Sequence, residues 1–310
     1  MDSLYILSRT ALQLALMLVA SAQMGRGLDI DRARPVSVLY PDIAPIINLP
    51  GISRDTGSPR VVGGSEAAEG SVPYQAAIYL TIDGLDYFCG GSLIAPSFVL
   101  TAAHCTVNVT EFTVILGGYR VFEASDGVNH VTRTMDSSAA IVHPQYVARK
   151  KMNDIALLKL SEPVPLSEKI KTVRLPSISQ STLTFEEETA TVSGWGKYND
   201  SIDYMSPVLK TAQTKVTSLP VCQVYYLTLL YGVQTNQICT ISPSESEYAS
   251  PCNGDSGGPL VVVEADGQPT LVGAVSFGIS SCESHFPSVY ARVTSHLQWI
   301  ANNTGITLRQ

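Results

Sequence analysis

The stretch 75-QAAIYLTI-82 points to the kind of fold. It is eight residues long, free of proline, glycine and charge, and it carries β-branched Ile78, Thr81 and Ile82 around aromatic Tyr79, which suits a pleated strand. Working outward, the same texture recurs in 112-FTVILGG-118, 154-DIALLKL-160, 189-TATVSGW-195, 259-PLVVVE-264, 270-TLVGAVSF-277 and 288-SVYARV-293. Short β-rich runs separated by turn-forming residues predict an all-β barrel or sandwich. Helical period emerges once, in 295-SHLQWIANN-303, where Leu297 and Ile300 sit three apart beside Trp299. The reading is therefore all-β with one carboxy-terminal helix.

Composition agrees with a folded chain. Of 310 residues, 45% are hydrophobic and only 15% charged, against roughly 25% charged in an average globular protein. Disorder, collagen and coiled coil are excluded. Lys and Arg number 20 against 27 Asp and Glu, a net charge of -7, and the longest basic block is Arg149-Lys150-Lys151. The electrostatic footprint of a nucleic-acid binder is missing.

The amino terminus reads as an export signal. Residues 11–22, ALQLALMLVASA, are apolar apart from Gln13 and Ser21 and end in the small-x-small pattern Ala20-Ser21-Ala22, which predicts cleavage after Ala22. As a membrane anchor the run would reach only about 18 Å into a hydrocarbon core about 30 Å thick. No later stretch is long and apolar enough to span a bilayer, and the tail 305-GITLRQ-310 has no anchor signal, so a secreted, extracellular product without a membrane partner is expected. Residues 23–60 hold five prolines (Pro35, Pro41, Pro45, Pro50 and Pro59), no cysteine and no periodicity. They read as a loosely structured leader.

Six cysteines, at 89, 105, 222, 239, 252 and 282, predict three disulfides in an exported chain. Six allow fifteen connectivities. Pairing of neighbours would close loops of roughly 15 to 30 residues, each contributing roughly 3 kcal/mol. A zinc site is excluded by spacing, since no two cysteines are close enough in sequence to act as adjacent ligands.

Three motifs carry chemistry. In 100-LTAAHC-105 an apolar run delivers His104 beside a cysteine; alone, such a histidine is more often structural. Asn153-Asp154 brings a carboxylate up to an apolar strand, where burial demands partners and an imidazole N–H is one candidate; a turn or cap residue would look the same. Gly254-Asp255-Ser256-Gly257-Gly258-Pro259 sets a serine among glycines that let backbone N–H groups approach a substrate. This last string is specific.

In that order and spacing, TAAHC, DIAL and GDSGGP resemble the chymotrypsin/trypsin family of secreted serine proteases. The resemblance extends to Arg60-Val-Val-Gly-Gly64, Pro73-Tyr74-Gln75, Cys89-Gly-Gly-Ser-Leu93, Gly194-Trp195-Gly196 and Pro287-Ser-Val-Tyr290, and covers residues 61 to about 303. Invertebrate chymotrypsin-like and brachyurin-like enzymes are the most similar branch. The resemblance implies two packed six-stranded antiparallel β-barrels with a carboxy-terminal helix, and a division into signal peptide 1–22, activation propeptide 23–60 and protease domain 61–310. It implies His104 as general base then general acid, Asp154 as its orienting partner and Ser256 as nucleophile, with an oxyanion hole from the Gly254 and Ser256 amides. It also selects the disulfides Cys89–Cys105, Cys222–Cys239 and Cys252–Cys282.

Further expectations follow from the resemblance. The chain would be a zymogen: cleavage after Arg60 frees a Val61 ammonium to pair with buried Asp255, and the propeptide, lacking cysteine, is then held by nothing covalent. Ser250 stands where trypsin-like relatives place an aspartate, and Ser276, Phe277 and Gly278 form an open wall. Ser288 makes the slot shallower, and Pro251 alters its base. Cleavage after Phe, Tyr, Leu or Met is expected, not after Arg, so a separate trypsin-like protease must be the activator. Peptide or protein substrates and protein protease inhibitors are the expected partners, of a monomer in a digestive role. Elastase-like or cascade proteolysis is the alternative within the enzyme class, and a non-catalytic binding homologue the alternative outside it. Glu123 and Asp126, two scattered acids, are too few for calcium, and no cofactor or metal is expected. Asn108, Asn199 and Asn302 lie in N-glycosylation sequons, with Asn199 the foremost candidate. The runs at 149–151 and 186–188 read as solvated loops, and His130, His143, His285 and His296 have no catalytic company in the sequence.

Overall fold

A computed structural model of the chain describes residues 33–36, 62–121, 130–202, 204–279 and 281–310. The signal peptide, most of the propeptide including Arg60, the following Val61, and Glu123 and Asp126 lie outside the described residues.

The chain opens with β1 (Arg34–Pro35), β2 (Ser65–Glu66), β3 (Gln75–Ile82), β4 (Leu85–Ala95) and β5 (Phe98–Thr101). Then come β6 (Glu111–Leu116), β7 (Val131–Asp136), β8 (Ala140–Val142) and β9 (Ala156–Lys159). The second half holds β10 (Thr189–Gly194), β11 (Lys210–Thr217), helix α1 (Leu219–Leu227), β12 (Gln237–Ile241), β13 (Pro259–Val263), β14 (Pro269–Phe277), β15 (Ser288–Arg292) and helix α2 (Leu297–Thr304).

Two sheets result. The second runs β10-β13-β14-β15-β12-β11-β2, and β10 also pairs with β11, so six of its strands close into a barrel. The first runs β7-β6-β3-β4-β5-β9-β8, with β1 beside β4. Its two end strands do not pair with each other; they are consecutive in the chain and joined by the single turn Ser137–Ala139, which Asp136 caps by accepting from the Ser138 amide at 2.8 Å. The expected first barrel therefore closes through covalent chain and not through a ladder.

Strand β3 shows why the deciding stretch lacks polar alternation. Ile78 and Leu80 pack on one face with Val99, Phe112 and Leu158. Ala77 and Tyr79 pack on the other with Phe88, Leu157 and Trp195, in a cluster that also takes Leu271 and Ala274 from the second sheet. Both faces are buried, so both are apolar. The second barrel is filled by Val192, Val216, Ile238, Leu260 and Tyr290.

Two elements depart from the expectation. Helix α1 is additional to the carboxy-terminal one; Ser218 caps it by accepting from the Val221 amide at 3.3 Å, and proline stands in its first turn, as suits that position. Within the leader, residues 33–36 are ordered: β1 pairs in parallel with Tyr87 and Phe88, and Val36 is fully buried. Among the described residues no helix is long and apolar enough to cross a membrane.

Candidate active site

His104 lies in the short 3-10 turn Ala103–Cys105 directly after β5, and Asp154 lies two residues before β9, the neighbour of β5 in the sheet. Pairing of Thr101 with Ala156 brings the two together. The His104 backbone amide donates to Asp154 Oδ1 at 2.9 Å, and its ring Nδ1 donates to Oδ2 at 2.8 Å. Ser276 Oγ, from β14 of the second sheet, donates to the same Oδ2 at 2.5 Å. Three donors thus satisfy one buried carboxylate, leaving Nε2 as the ring's acceptor.

Burial alone would raise the Asp154 carboxyl, but the charges of His104 and Lys151 and the bonds from His104 and Ser276 outweigh it and hold the group far below the usual carboxylate range. His104 is pushed down by burial, with Lys151 adding and Asp154 opposing. The pair rests as carboxylate and neutral imidazole.

Ser256 follows Asp255 in a turn packed tightly against Gly90 of β4 and Thr101 of β5. The Ser256 carbonyl accepts from the Gly90 amide at 2.7 Å and lies 3.6 Å from Cys105 Sγ. It therefore abuts the Cys89–Cys105 bridge, next to His104 in the chain. Gly257 has φ +77, and a Cβ there would sit 2.1 Å from Thr101 Oγ1. Only glycine fits. No hydrogen bond joins Ser256 Oγ to the ring among the described residues, and such contacts commonly tighten on substrate binding. Gly254 has φ +104; neither its amide nor that of Ser256 donates to any acceptor among the described residues.

Asp255 points away, into the second barrel. It is buried, accepts from the Gly196 amide at 2.8 Å and the Cys252 amide at 2.9 Å, and burial pushes its pKa up to about 6. Among the described residues no cation reaches it. Val62, nearly fully buried, packs against the Cys252–Cys282 bridge and Tyr248.

Of the expected pocket residues, Ser250 meets that bridge, while Phe277 packs in the cluster of Cys222 and Cys239. Ser250 is buried with its hydroxyl donating to the Cys282 carbonyl at 2.7 Å. Ser288 is buried opposite Thr240, next to Val289, which pairs with Phe277. A Cβ on Gly278 would meet nothing within 4 Å. Phe277 packs on Tyr226 and Tyr231, ring centroids 5.6 and 5.0 Å away. Ser276 does more than line a wall, since its hydroxyl is spent on Asp154. All three disulfides form as the resemblance implied, with Cα separations of 6.3, 6.3 and 5.5 Å.

The structure also adds residues. Lys151 is not solvated: it is 3% exposed, because a left-handed backbone (φ 46) turns it inward beside Asp154 while its carbonyl accepts from Gln237 Nε2 at 3.0 Å. Arg149 and Lys150 stay exposed, as do Glu186, Glu187 and Glu188. Asn153 fastens the chain beside Asp154, donating to the Gln145 carbonyl at 2.9 Å and contacting Asn236 at 2.6 Å and His296 at 3.1 Å. His296 thus acquires company that the sequence did not show. Asp200 holds the pocket bridge by accepting from the Cys282 amide at 2.8 Å and from Ser281 Oγ at 2.7 Å. Its only signal was a polar turn. Asn108 and Asn302 are exposed, whereas Asn199 is half-buried with Oδ1 taken by the Ser201 amide. Two groupings of His, Cys and Asp come close enough to share an ion, Cys89-His104-Cys105 and Asp200-Cys252-Cys282, but their cysteines are spent in disulfides.

Comparison with known proteins matches this geometry. The family described as Trypsin matches residues 61–300. Brachyurin of Leptuca pugilator is 39% identical over 80% of the chain and 100% of the relative. Chymotrypsin of Phaedon cochleariae is 33% identical, over 79% and 82% respectively, and Collagenase of Hypoderma lineatum 36% identical, over 80% and 88%. The solved structure of HL collagenase superposes with a TM-score of 0.68 at 34% identity, covering 80% of this chain and all of the other. The chain therefore belongs to the chymotrypsin/trypsin family and is a serine endopeptidase of invertebrate type.

Proposed function

We propose that the enzyme is an exported zymogen, activated by a cut after Arg60, which hydrolyses peptide bonds after Phe, Tyr, Leu or Met through His104, Asp154 and Ser256. The observation that carries the chemistry is the His104 Nδ1 bond of 2.8 Å to a carboxylate already saturated by Ser276 and a backbone amide. It fixes the tautomer that leaves Nε2 as base. His104 takes the Ser256 proton as Oγ attacks the scissile carbonyl, then returns it to the leaving amine, and Asp154 stabilises the imidazolium in between. The unspent amides of Gly254 and Ser256 receive the oxyanion; such a donor is typically worth roughly 2.7 to 4 kcal/mol.

Support for the apolar preference comes from Ser250, whose hydroxyl is turned onto Cys282, and from the absence of any buried acid beside it among the described residues except Asp255, which is turned onto Gly196 and Cys252. Burying an aromatic or aliphatic side chain would supply roughly 1.5 to 3 kcal/mol. Support for the zymogen comes from Asp255, which no cation reaches among the described residues, and from Val62 lodged against the neighbouring bridge. A trypsin-like activator, protein inhibitors, glycosylation at exposed Asn108 and Asn302, and a digestive role complete the proposal. The test compares kcat/KM for matched peptides ending in Phe, Leu, Ala and Arg before the scissile bond. Preference for Phe and Leu is expected; preference for Arg defeats both the pocket assignment and the need for an external activator, and preference for Ala marks an elastase-like slot.

A further inference from the structure

Strand β1 belongs to the propeptide, yet it is built into the catalytic half of the molecule. Arg34 pairs with Tyr87 and Pro35 with Phe88, in parallel, on the edge of β4 opposite β3. Strand β5 takes that edge only from Ser92 onward. Val36 is fully buried in the cluster that contains Cys89 and Cys105, while Ala33 packs against the one that contains Phe88 and Trp195. Pro35 suits a terminal strand, because its missing N–H costs no further pairing.

The position matters more than the pairing. Two residues beyond Phe88, the Gly90 amide donates to the carbonyl of Ser256 at 2.7 Å, so β1 ends within about 7 Å of that contact along the strand. The residue between them, Cys89, is bridged to Cys105, the neighbour of His104. The pocket wall 276–278 flanks Ser256 from the other sheet. With a substrate's acyl side placed in the pocket proposed above, its leaving-group side lies on the other side of Ser256, where the Ser256 carbonyl meets Gly90 of β4, two residues from the edge that β1 covers.

We propose that residues 33–36 are a docking peptide for this edge, and that the propeptide, once severed after Arg60, is a reversible inhibitor of the processed enzyme in trans, competing with the leaving-group side of the substrate. This rests on the zymogen reading for the cut and on the pocket reading for the direction in which substrate crosses Ser256. Before cleavage the docking peptide is joined covalently to the protease domain through 24 residues, 37–60, and its effective concentration at the edge is on the order of millimolar. After cleavage the propeptide, free of cysteine, is retained among the described residues by two ladder residues and the packing of Ala33 and Val36. Dilution then releases it, and crowding in a secretory store retains it.

The experiment uses the full chain cut after Arg60 and freed of its propeptide by gel filtration, with a synthetic peptide of residues 30–38. Binding of the fluorescently labelled peptide is read by anisotropy, independently of activity. Inhibition is read with a peptide substrate extending past the scissile bond and with a nitroanilide ending at it. Expected are saturable binding in the micromolar to millimolar range, competitive inhibition of the extended substrate, at least threefold weaker inhibition of the nitroanilide, and a tenfold or greater loss of both effects with Val36→Asp in the peptide. Absence of binding at 1 mM, equal binding by the Val36→Asp peptide, or equal inhibition of both substrates overturns the proposal. The zymogen reading fails on a separate result, full activity of uncut Arg60→Gln protein, which leaves the peptide assay intact.

Discussion

The Asp255 carboxyl accepts two backbone amides and is still held up at about 6 by burial. An acid whose folded pKa exceeds its unfolded value near 3.8 contributes stability that is complete below that value and is lost as pH climbs through the folded pKa. For the uncut chain the loss across pH 4 to 7 amounts to about 2 kcal/mol. Under the proposed processing a Val61 ammonium would reverse it, because a cation beside the carboxylate favours the charged form. Urea titrations of Arg60→Gln protein at pH 4, 5, 6 and 7 should show falling stability, and processed protein should show no such fall; parallel curves would remove the pairing. Lys151 acts on the catalytic histidine in the opposite sense to Asp154. Catalysis needs neutral His104, so the acid limb of kcat/KM should lie below the ordinary histidine range near 6.5. Lys151→Met should move that limb to higher pH, and an unmoved profile would separate Lys151 from the dyad.

Helix α1 is tied to β12 by Cys222–Cys239, and Tyr226 behind it carries Phe277 on its ring while donating to the Pro287 carbonyl at 2.7 Å. The paired replacement Cys222→Ser, Cys239→Ser should cost about 2 to 5 kcal/mol. Because Phe277 loses its backing, KM for peptides with long acyl sides should rise more than kcat falls; denaturant midpoints and steady-state kinetics together check this. The element also shows what could be read beforehand. The strands β3, β6, β9, β10, β13, β14 and β15 were legible because short β-rich runs end at turns, and the order of three motifs carried the candidate triad. Helix α1 was not, since 219-LPVCQVYYL-227 is apolar on every side and offers no period. β1 hid in a proline-rich stretch because its partners, Tyr87 and Phe88, lie far along the chain. The inward turn of Lys151 hid in a basic run, and the Ser276 contact with Asp154 hid because it crosses between sheets 122 residues apart.

At the scale of the molecule, the two halves share an apolar cluster and are fastened across it by hydrogen bonds, Ser276 to Asp154 and Gln237 to Lys151 among them. Ser193 Oγ donates to Gln75 Oε1 at 2.6 Å, Gly90 donates to the Ser256 carbonyl, and the carboxy terminus staples the connection between sheets to the second one. There Arg309 donates to the Leu175 carbonyl at 3.1 Å and to Glu264 at 2.8 Å, while Ile306 and Leu308 pack on the core. Truncation after Thr304 should lower stability by about 3 kcal/mol, from two half-buried aliphatic side chains and one charge-assisted bond; an unchanged melting curve would show the staple to be idle. The turn Ser137–Ala139 has a different consequence. A barrel zipped all round by hydrogen bonds must break a ladder before it can open, whereas one joined by a single covalent bend can unroll from that seam. The half that carries His104 and Asp154 is the one with the seam. Its amides in β7 and β8 should exchange with solvent sooner than those of β13 and β14, and the first excursion from the native state should part the base from the nucleophile. The protease would then fall silent before it comes undone, a fuse placed ahead of the damage that an unfolding but still active enzyme would inflict on its own kind.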